Sequence, residues 1–231
     1  MKMNKKLRRI LLTVCSAALL VCVTVGATVA YLTSSDTVTN TFTVGRLSIV
    51  LDETDVNVDG VKDGNDPVKA NSYKIMPNHK YVKDPTVHFA CSWDSTEKKY
   101  NDVNSEKAYL FVAVKNELAA VEAAADDEYK QIATQITDNS WGALTSTDGK
   151  QIKVNDYAIY YQIANASATK SDYKVFEEFK ITSELSNEAN ATLKMDDYNN
   201  KTIDVKAFAI QYDGFTDAND AWTNSGFASK L

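Results

Sequence analysis

Oxygen-donor side chains in one acidic segment have a spacing that could bind a cation. They fall at places 1, 3, 5, 9 and 12 of a calcium-binding loop, and they are Asp55, Asn57, Asp59, Asp63 and Asp66. Gly60 stands at place 6, where such a loop turns sharply, but the last ligand is an aspartate where a longer glutamate is usual. Because Asp, Asn and Gly are also turn residues, the segment predicts either a calcium loop or a solvated hairpin loop.

The two histidines of the chain, His79 and His88, are the candidates for a zinc site. They lie nine residues apart in a proline-broken extended segment, whereas a catalytic zinc normally takes three protein ligands, usually including two histidines one helical turn apart. A composite site would need Asp84 or Glu97 to converge on them. The sequence has no Gly-x-Ser-x-Gly elbow, Walker loop or dinucleotide-binding glycine pattern. These motifs therefore give no support to an enzyme, and we predict a protein that is not one.

The first 30 residues have the three parts of a secretory signal peptide. A cationic stretch at Met1–Arg9 precedes an apolar run at Ile10–Val25, and small residues follow. Cleavage between Ala30 and Tyr31 would leave Tyr31 as the mature N-terminus. Because Ile10–Leu32 is uncharged for 23 residues, a retained membrane anchor is the alternative. We expect cleavage, and therefore contact with the membrane only before the signal is removed.

Charge and cysteine content indicate the partners and the compartment of the mature chain. The net charge is −6, the basic residues before position 31 are balanced by no acid, and Arg46 is the single arginine after them. Phosphate-backbone binding needs clustered basic residues, so nucleic acid is excluded as the main partner. Cys15 and Cys22 lie in the signal, which leaves only Cys91 after cleavage. An exported domain without an intramolecular disulfide must rely on its hydrophobic core, which suits a Gram-positive exterior.

The residues after the signal predict two strand segments joined by a bend. Phe42 and Val44 share one phase of an alternating pattern, whereas the apolar residues from Leu47 onward take the other phase. A one-residue phase change at a glycine, here Gly45, is typical of a β-bulge or a bend. The acidic residues that follow, 52–71, are rich in turn formers and predict a loop.

The rest of the chain predicts a β-rich domain with one helical insertion. Ala108–Lys115 is apolar in both strand phases, which favours a central strand covered on both faces. Apolar residues then recur every three or four positions through 117–137, the pattern of an amphipathic helix. Asp217–Trp222 predicts a final helical turn capped by its first residue. Further extended segments are predicted at Tyr73–Met76, Tyr81–Phe89, Gln151–Val154, Tyr157–Ile163, Tyr173–Ile181 and Thr202–Tyr212. Together these predict a mainly β fold, a single antiparallel β-sandwich domain over residues 31–231 with an inserted α-helical segment.

The junction between the signal and the first strand resembles a known family. From Ala30 to Gly45 the chain has a small residue, an aromatic residue, a short polar stretch and then Thr-Asn-Thr-Phe-Thr-Val-Gly. This pattern resembles the TasA/camelysin family of secreted Gram-positive proteins. Segments that resemble its clostridial branch follow, and they are Leu51–Glu53, Tyr73–His79, Lys83–Val87, Tyr109–Val112, Tyr212–Phe215 and Ala221–Trp222.

The resemblance implies a jelly-roll β-sandwich, processing by a SipW-type signal peptidase, and a role in extracellular fibres of the biofilm matrix. In such fibres the mature N-terminal strand, here residues 31–44, completes the sheet of the next subunit, so the partners would be copies of the chain or related fibre subunits. Phe42 and Val44 would be the anchors, with Gly45 at the bend. The plain alternative is that this strand pairs within its own subunit.

Two other functions stay open at the level of sequence. The camelysin label of the family implies a cell-surface metallo-endopeptidase, although no catalytic residue carries over to this sequence. The other function is a monomeric adhesin that binds calcium through Asp55–Asp66. Calcium is thus the one cofactor that the sequence predicts, and only for this alternative.

Overall fold

The described chain folds into antiparallel β-sheets with a small helical part. The computed structural model describes residue 6 and residues 46–188 and 191–231. The predicted N-terminal strand, 31–44, and all of the predicted signal peptide except residue 6 therefore lie outside the described residues.

Strands make up most of the regular structure in the described residues. The strands are β1 (Ile49–Val56), β2 (Lys62–Val68), β3 (Lys80–Val82), β4 (Thr86–Phe89), β5 (Cys91–Asp94), β6 (Lys99–Asp102), β7 (Ala108–Asn116), β8 (Gly142–Ala143), β9 (Lys153–Val154), β10 (Tyr157–Ala164), β11 (Ser171–Lys174), β12 (Glu178–Lys180), β13 (Leu185–Ser186), β14 (Leu193–Lys194) and β15 (Ile203–Gln211). The helices are α1 (Ile132–Asp138) and α2 (Ala218–Ser225), with 3-10 turns at Ala119–Val121, Met195–Tyr198 and Phe227–Lys230.

Two larger sheets pack face to face as the predicted β-sandwich. One sheet has the order β11-β4-β1-β2, and the other has the order β15-β7-β10-β8, with β9 also pairing to β10. All of these pairs are antiparallel. One core cluster joins Val87 and Phe89 of the first sheet to Leu110 and Val112 of the second. The fold class predicted from the sequence is confirmed.

The central strand is where the sequence predicted it. β7 lies between β15 and β10, and its residues from Ala108 to Val114 are buried. Leu110 and Val112 face the core between the sheets, whereas Tyr109 and Phe111 face a second core on the outer side. Because α2 covers that outer side, a strand that is apolar in both phases is stable there.

The helix predicted over 117–137 is confirmed only at its C-terminal end, where α1 begins at Ile132. Upstream, Glu122 forms a β-bridge with Ile181 instead of continuing a helix. Its carboxylate accepts hydrogen bonds from the Tyr129 hydroxyl and from the backbone N–H of Ile132, both at 2.7 Å. These tertiary contacts outweigh the helix propensity of the alanine-rich residues between them.

The acidic segment predicted as a loop, 52–71, is mostly a hairpin. β1 and β2 pair antiparallel, with an irregularity between Thr54 and Val56. The turn closes locally because Asn57 Oδ1 accepts hydrogen bonds from the backbone N–H groups of Asp59 (3.0 Å) and Val61 (3.1 Å). Gly60 completes the turn at φ 74°, a conformation that favours glycine. Local turn chemistry thus extends the strands into a segment of low β propensity.

Candidate functional site

β15 is an edge strand whose second edge is free. β7 pairs along one side of β15, and no strand of the described residues pairs along the other side. At the two ends Glu117 N donates to Thr202 O (3.0 Å) and Tyr212 N donates to Lys107 O (2.9 Å). Pairs alternate in an antiparallel ladder, so the even-numbered residues of β15 bond to β7. The N–H and C=O groups of its odd-numbered residues therefore point to the free edge.

The first half of β1 also has a side along which no strand of the described residues pairs. β1 pairs with β4 in this half, but with β2 only from Glu53 onward. Ala90 N donates to Ser48 O at 2.9 Å, so the even-numbered residues bond to β4 and the odd-numbered ones face away. The carbonyl oxygen of Leu51 accepts a hydrogen bond from Lys69 Nζ at 2.5 Å. A flexible lysine thus takes the place where a neighbouring strand would bond.

An open groove of about 910 Å³ lies between these two edges. Its walls come from β1, the loop after β2, the 3-10 turn before β15, and β15 itself. Residues that represent these walls are Leu51, Glu53, Tyr73, Met195, Ile203 and Val205. Leu118 and Phe179 also line it, so the groove reaches the core between the sheets.

The apolar face of β15 is only partly covered. Ile203, Val205, Ala207 and Ala209 pack against the core but remain half-buried, whereas the neighbouring residues of β7 are buried. Such an edge can accept another strand, because main-chain hydrogen bonds satisfy the free groups and alternate side chains cover the apolar face. The geometry at this groove supports strand addition.

The residues predicted to do this lie outside the described residues. They are the cleavage residues Ala30 and Tyr31 and the assembly residues Phe42, Val44 and Gly45. Their roles therefore stay predictions. None of the helices in the described residues is long and apolar enough to cross a membrane.

The predicted calcium ligands lie along the β1–β2 hairpin. Asp55 is on β1, Asn57 and Asp59 are in the turn, and Asp63 and Asp66 are on β2. Asn57 Oδ1 holds two backbone N–H groups, and the Asp66 carboxylate pairs with Lys98. The described residues contain no group of three His, Cys, Asp or Glu side chains that could hold a metal ion. The hairpin alternative describes this segment, and calcium binding stays a prediction.

The two histidines have separate surroundings. His79 Nε2 lies 2.8 Å from the carbonyl oxygen of Asp59, and its ring packs edge-on against Tyr81 with centroids 4.5 Å apart. His88 is on β4, on the outer face of its sheet. Tyr100 of the β5–β6 hairpin contacts its ring, with centroids 4.5 Å apart.

His88 lies between two carboxylates. Nε2 lies 2.9 Å from Asp52 Oδ1, and Nδ1 lies 2.6 Å from Asp172 Oδ1. Burial lowers the pKa of His88, but the hydrogen bonds to the two carboxylates outweigh it and raise the pKa above its ordinary value. The Tyr100 hydroxyl donates to Asp52 Oδ2 at 2.7 Å, and Lys170 Nζ pairs with Asp172. The cluster joins β1, β4, β6 and β11.

The chain matches one known protein family over most of its length. Residues 3–196 match the family described as Camelysin metallo-endopeptidase. The chain belongs to this family. This membership confirms the resemblance that the N-terminal motif indicated. No curated protein matches the chain, and no solved structure does.

The family description implies a metal, and the described residues of this camelysin-family chain do not fit one. Both ring nitrogens of His88 lie within hydrogen-bond distance of carboxylate oxygens, so both are already engaged within the protein. His79 lies with different partners, beside Asp59 and Tyr81. The other candidate ligands are also engaged: the Asp84 carboxylate accepts from Thr54 N and Oγ1, and Glu97 pairs with Lys99. We therefore assign no mechanistic step to a bound metal.

Sequence reasoning missed the free edge of β15. It did predict an extended segment at Thr202–Tyr212, and β15 confirms it. However, β7 is apolar in both phases from Ala108 to Val114, whereas one phase of β15 contains Asp204 and Lys206. These two charged residues are the one local signal that β15 is less covered than β7. The pairing of distant segments decides which of them is central and which is at the edge.

Proposed function

We propose that the protein is an exported structural subunit of the cell surface or biofilm matrix, in which residues 31–44 of one copy bind the groove of another. The observation that carries the proposal is the free edge of β15, with its half-buried apolar face beside the groove. Added strands gain affinity from main-chain hydrogen bonds and specificity from alternate side chains. A head-to-tail contact of this kind does not close on itself, so it produces filaments.

The proposed partners are further copies of the chain or related fibre subunits. Phe42 and Val44 share one strand phase and would cover the apolar face of β15, while Gly45 would let the chain turn back toward its own β1. A SipW-type signal peptidase would expose Tyr31 and so release the strand. Pairing of residues 31–44 with the groove of their own subunit is the alternative arrangement.

Assembly can be tested with two purified forms, one starting at Tyr31 and one starting at Gly45. Both are incubated at high concentration without metal and examined by electron microscopy and size-exclusion chromatography. Filaments from the longer form alone support strand addition between copies. Two folded monomeric forms contradict it.

The alternative function is the metallo-endopeptidase activity that the family description names. It can be tested by incubating the form that starts at Tyr31 with casein and zinc, with and without a chelator. A matched variant, His79→Gln with His88→Gln, removes every histidine of the chain. Cleavage that is lost in the chelator and in the variant would support the peptidase.

The calcium-binding adhesin stays a further prediction that thermal melts can test. Calcium at a hundred times its dissociation constant should add about 2.7 kcal/mol to the free energy of unfolding. Asp59→Asn is the matched variant, because it removes a charge from the predicted loop. A melting temperature unchanged by calcium contradicts the prediction.

A further inference from the structure

A buried amine and a carboxamide meet at one carboxylate beside the groove. Lys83 Nζ lies 2.7 Å from Glu53 Oε2, and the side chains of this pair are 11% and 5% exposed. Asn71 Nδ2 donates to the other oxygen of the same group, Glu53 Oε1, at 3.0 Å. The lysine amine and the asparagine carboxamide therefore bond to the two oxygens of one carboxylate.

Both polar atoms of the Asn71 carboxamide form hydrogen bonds that fix its orientation. Its Oδ1 accepts a hydrogen bond from the backbone N–H of Val56 at 3.0 Å. Its Nδ2 also donates to the carbonyl oxygen of Thr54 at 2.8 Å. A backbone N–H on Oδ1 stabilises negative charge on that oxygen, as an oxyanion hole does in acyl transfer. The carboxamide carbon is thus prepared to accept a nucleophile.

One aromatic ring faces the amine, and two further rings pack against that ring. Lys83 Nζ lies 6.0 Å from the ring centroid of Tyr73. Tyr73 packs edge-on against Tyr81 and Phe179, with ring centroids 5.6 and 5.4 Å apart. Burial and the nearby Glu53 carboxylate raise the pKa of Tyr73, so its phenol stays neutral. Low polarity on this side disfavours charged groups, so it favours transfer of a proton from the ammonium to the carboxylate, which leaves both groups neutral.

We propose that Lys83 and Asn71 form an intramolecular isopeptide bond in the folded chain, with Glu53 as the proton-transfer group. The Lys83 ammonium gives a proton to Glu53, and the freed lone pair of Nζ attacks Asn71 Cγ. The π electrons of the carboxamide move to Oδ1, which the Val56 N–H holds. Glu53 protonates Nδ2 and takes a proton from Nζ as the intermediate collapses. One C–N bond forms, one C–N bond breaks, and Nδ2 leaves as ammonia, which takes the remaining proton from Glu53 to become ammonium and restores the carboxylate.

The reaction needs no metal, oxidant or second protein, because folding brings all three groups together. The flexible four-carbon stem of lysine permits the amine to move from the carboxylate to the carboxamide carbon. Fixing the reactants in this way supplies most of the rate advantage of an intramolecular reaction. The bond would join the loop after β2 to the residue after β3, on the wall of the groove. A chain with one cysteine outside its first 30 residues would gain a covalent cross-link by this route.

Intact-mass spectrometry of the expressed full chain tests the proposal. Whatever N-terminus the isolated protein carries, we expect its mass to be about 17 Da below that of the sequence, the mass of ammonia. Trypsin should fail to cleave after Lys83, and one cross-linked product should contain residues 70–74 and the peptide that includes Lys83. The variants Lys83→Met, Asn71→Ala and Glu53→Gln should each show the full mass of their sequence.

The matched control is Lys69→Met, because Lys69 Nζ bonds to a carbonyl oxygen and not to the carboxylate. This variant should keep the mass deficit. A wild-type protein of full mass that trypsin cleaves after Lys83 overturns the proposal, whether or not the variants fold. A deficit of about 18 Da, the mass of water, would join Lys83 to Glu53 and overturn it too, as would a deficit of about 17 Da at another residue.

Discussion

At the scale of single residues, His88 connects the four-stranded sheet to the β5–β6 hairpin. Its ring nitrogens bond to Asp52 on β1 and Asp172 on β11, and Tyr100 of β6 bonds to the same Asp52. Lys170 and the buried Cys91 lie near these groups, and burial raises the pKa of the Cys91 thiol to about 11. The two carboxylates thus favour the charged form of His88 at the centre of the cluster.

The raised pKa of His88 predicts that the protein loses stability at alkaline pH. A group whose pKa is higher in the folded state stabilises fully below its unfolded pKa, about 6.5, and this stabilisation is lost as the pH rises through the folded value. Urea unfolding of the wild type from about pH 6 to pH 9 should give a falling free energy of unfolding. His88→Gln should remove the part of this slope that belongs to His88. His79→Gln is the control and should keep it; equal slopes for the wild type and His88→Gln would contradict the prediction.

Gly60 gives a second prediction at this scale. Its φ is 74°, and a Cβ built there would lie 2.8 Å from Tyr81 Cα, a backbone atom that cannot move away cheaply. Gly149 has a similar φ of 78° but open space around it. Gly149→Ala should therefore lower the free energy of unfolding by about 1 kcal/mol, the cost of the left-handed conformation.

Gly60→Ala should cost clearly more than Gly149→Ala, because the steric contact with Tyr81 adds to the same conformational cost. Thermal or urea unfolding of the two variants measures the difference. Equal destabilisation would show that the β1–β2 turn does not pack closely on β3.

At the scale of elements, the strands differ in how far the sequence could predict them. β7 could be predicted because Ala108–Lys115 is apolar in both phases, and α2 could be predicted because Asp217 is an N-cap residue whose Oδ1 accepts from Asp220 N at 2.9 Å. Most of the helix predicted over 117–137 does not form, because Glu122 pairs with Ile181, which is 59 residues away in the chain. Local periodicity contains no information about such a partner.

The candidate site was harder to predict than the core. The trio of Lys83, Glu53 and Asn71 comes from three segments, and its members have no spacing that marks a motif. The free edge of β15 likewise follows from which strands pair with β7. The alternating residues that precede Gly45 gave the occupant that we propose for the groove.

Odd- and even-numbered residues of β15 direct their backbone N–H groups to opposite sides, so two variants at neighbouring positions give a prediction and its control. The N–H of Ala207 points to the free edge, so Ala207→Pro removes a donor for an added strand and leaves the β7 ladder intact. This variant should fold and fail to form filaments. Lys206→Pro removes an N–H that bonds to β7 and should lower the free energy of unfolding by about 1–3 kcal/mol. Circular dichroism and electron microscopy of both variants check this, and filaments from Ala207→Pro would contradict strand addition at this edge.

At the scale of the whole molecule, the described residues form a sandwich that is covered on its outer faces and open at one side. α2 packs on the outer face of the five-stranded sheet, and the β5–β6 hairpin packs on that of the four-stranded sheet. Between the sheets the groove leaves the apolar side of β15 half-buried. A domain of this kind gains buried apolar surface and main-chain hydrogen bonds when a strand is added.

Amide hydrogen exchange along β15 tests this central claim most directly. The form that starts at Gly45 is measured alone and with a synthetic peptide of residues 31–44, after circular dichroism has shown that it is folded. The account predicts that the odd-numbered amides from Ile203 to Gln211 exchange rapidly in the protein alone and become protected with the peptide, whereas the even-numbered amides are protected in both samples. Equal exchange of the odd-numbered amides with and without the peptide would contradict it.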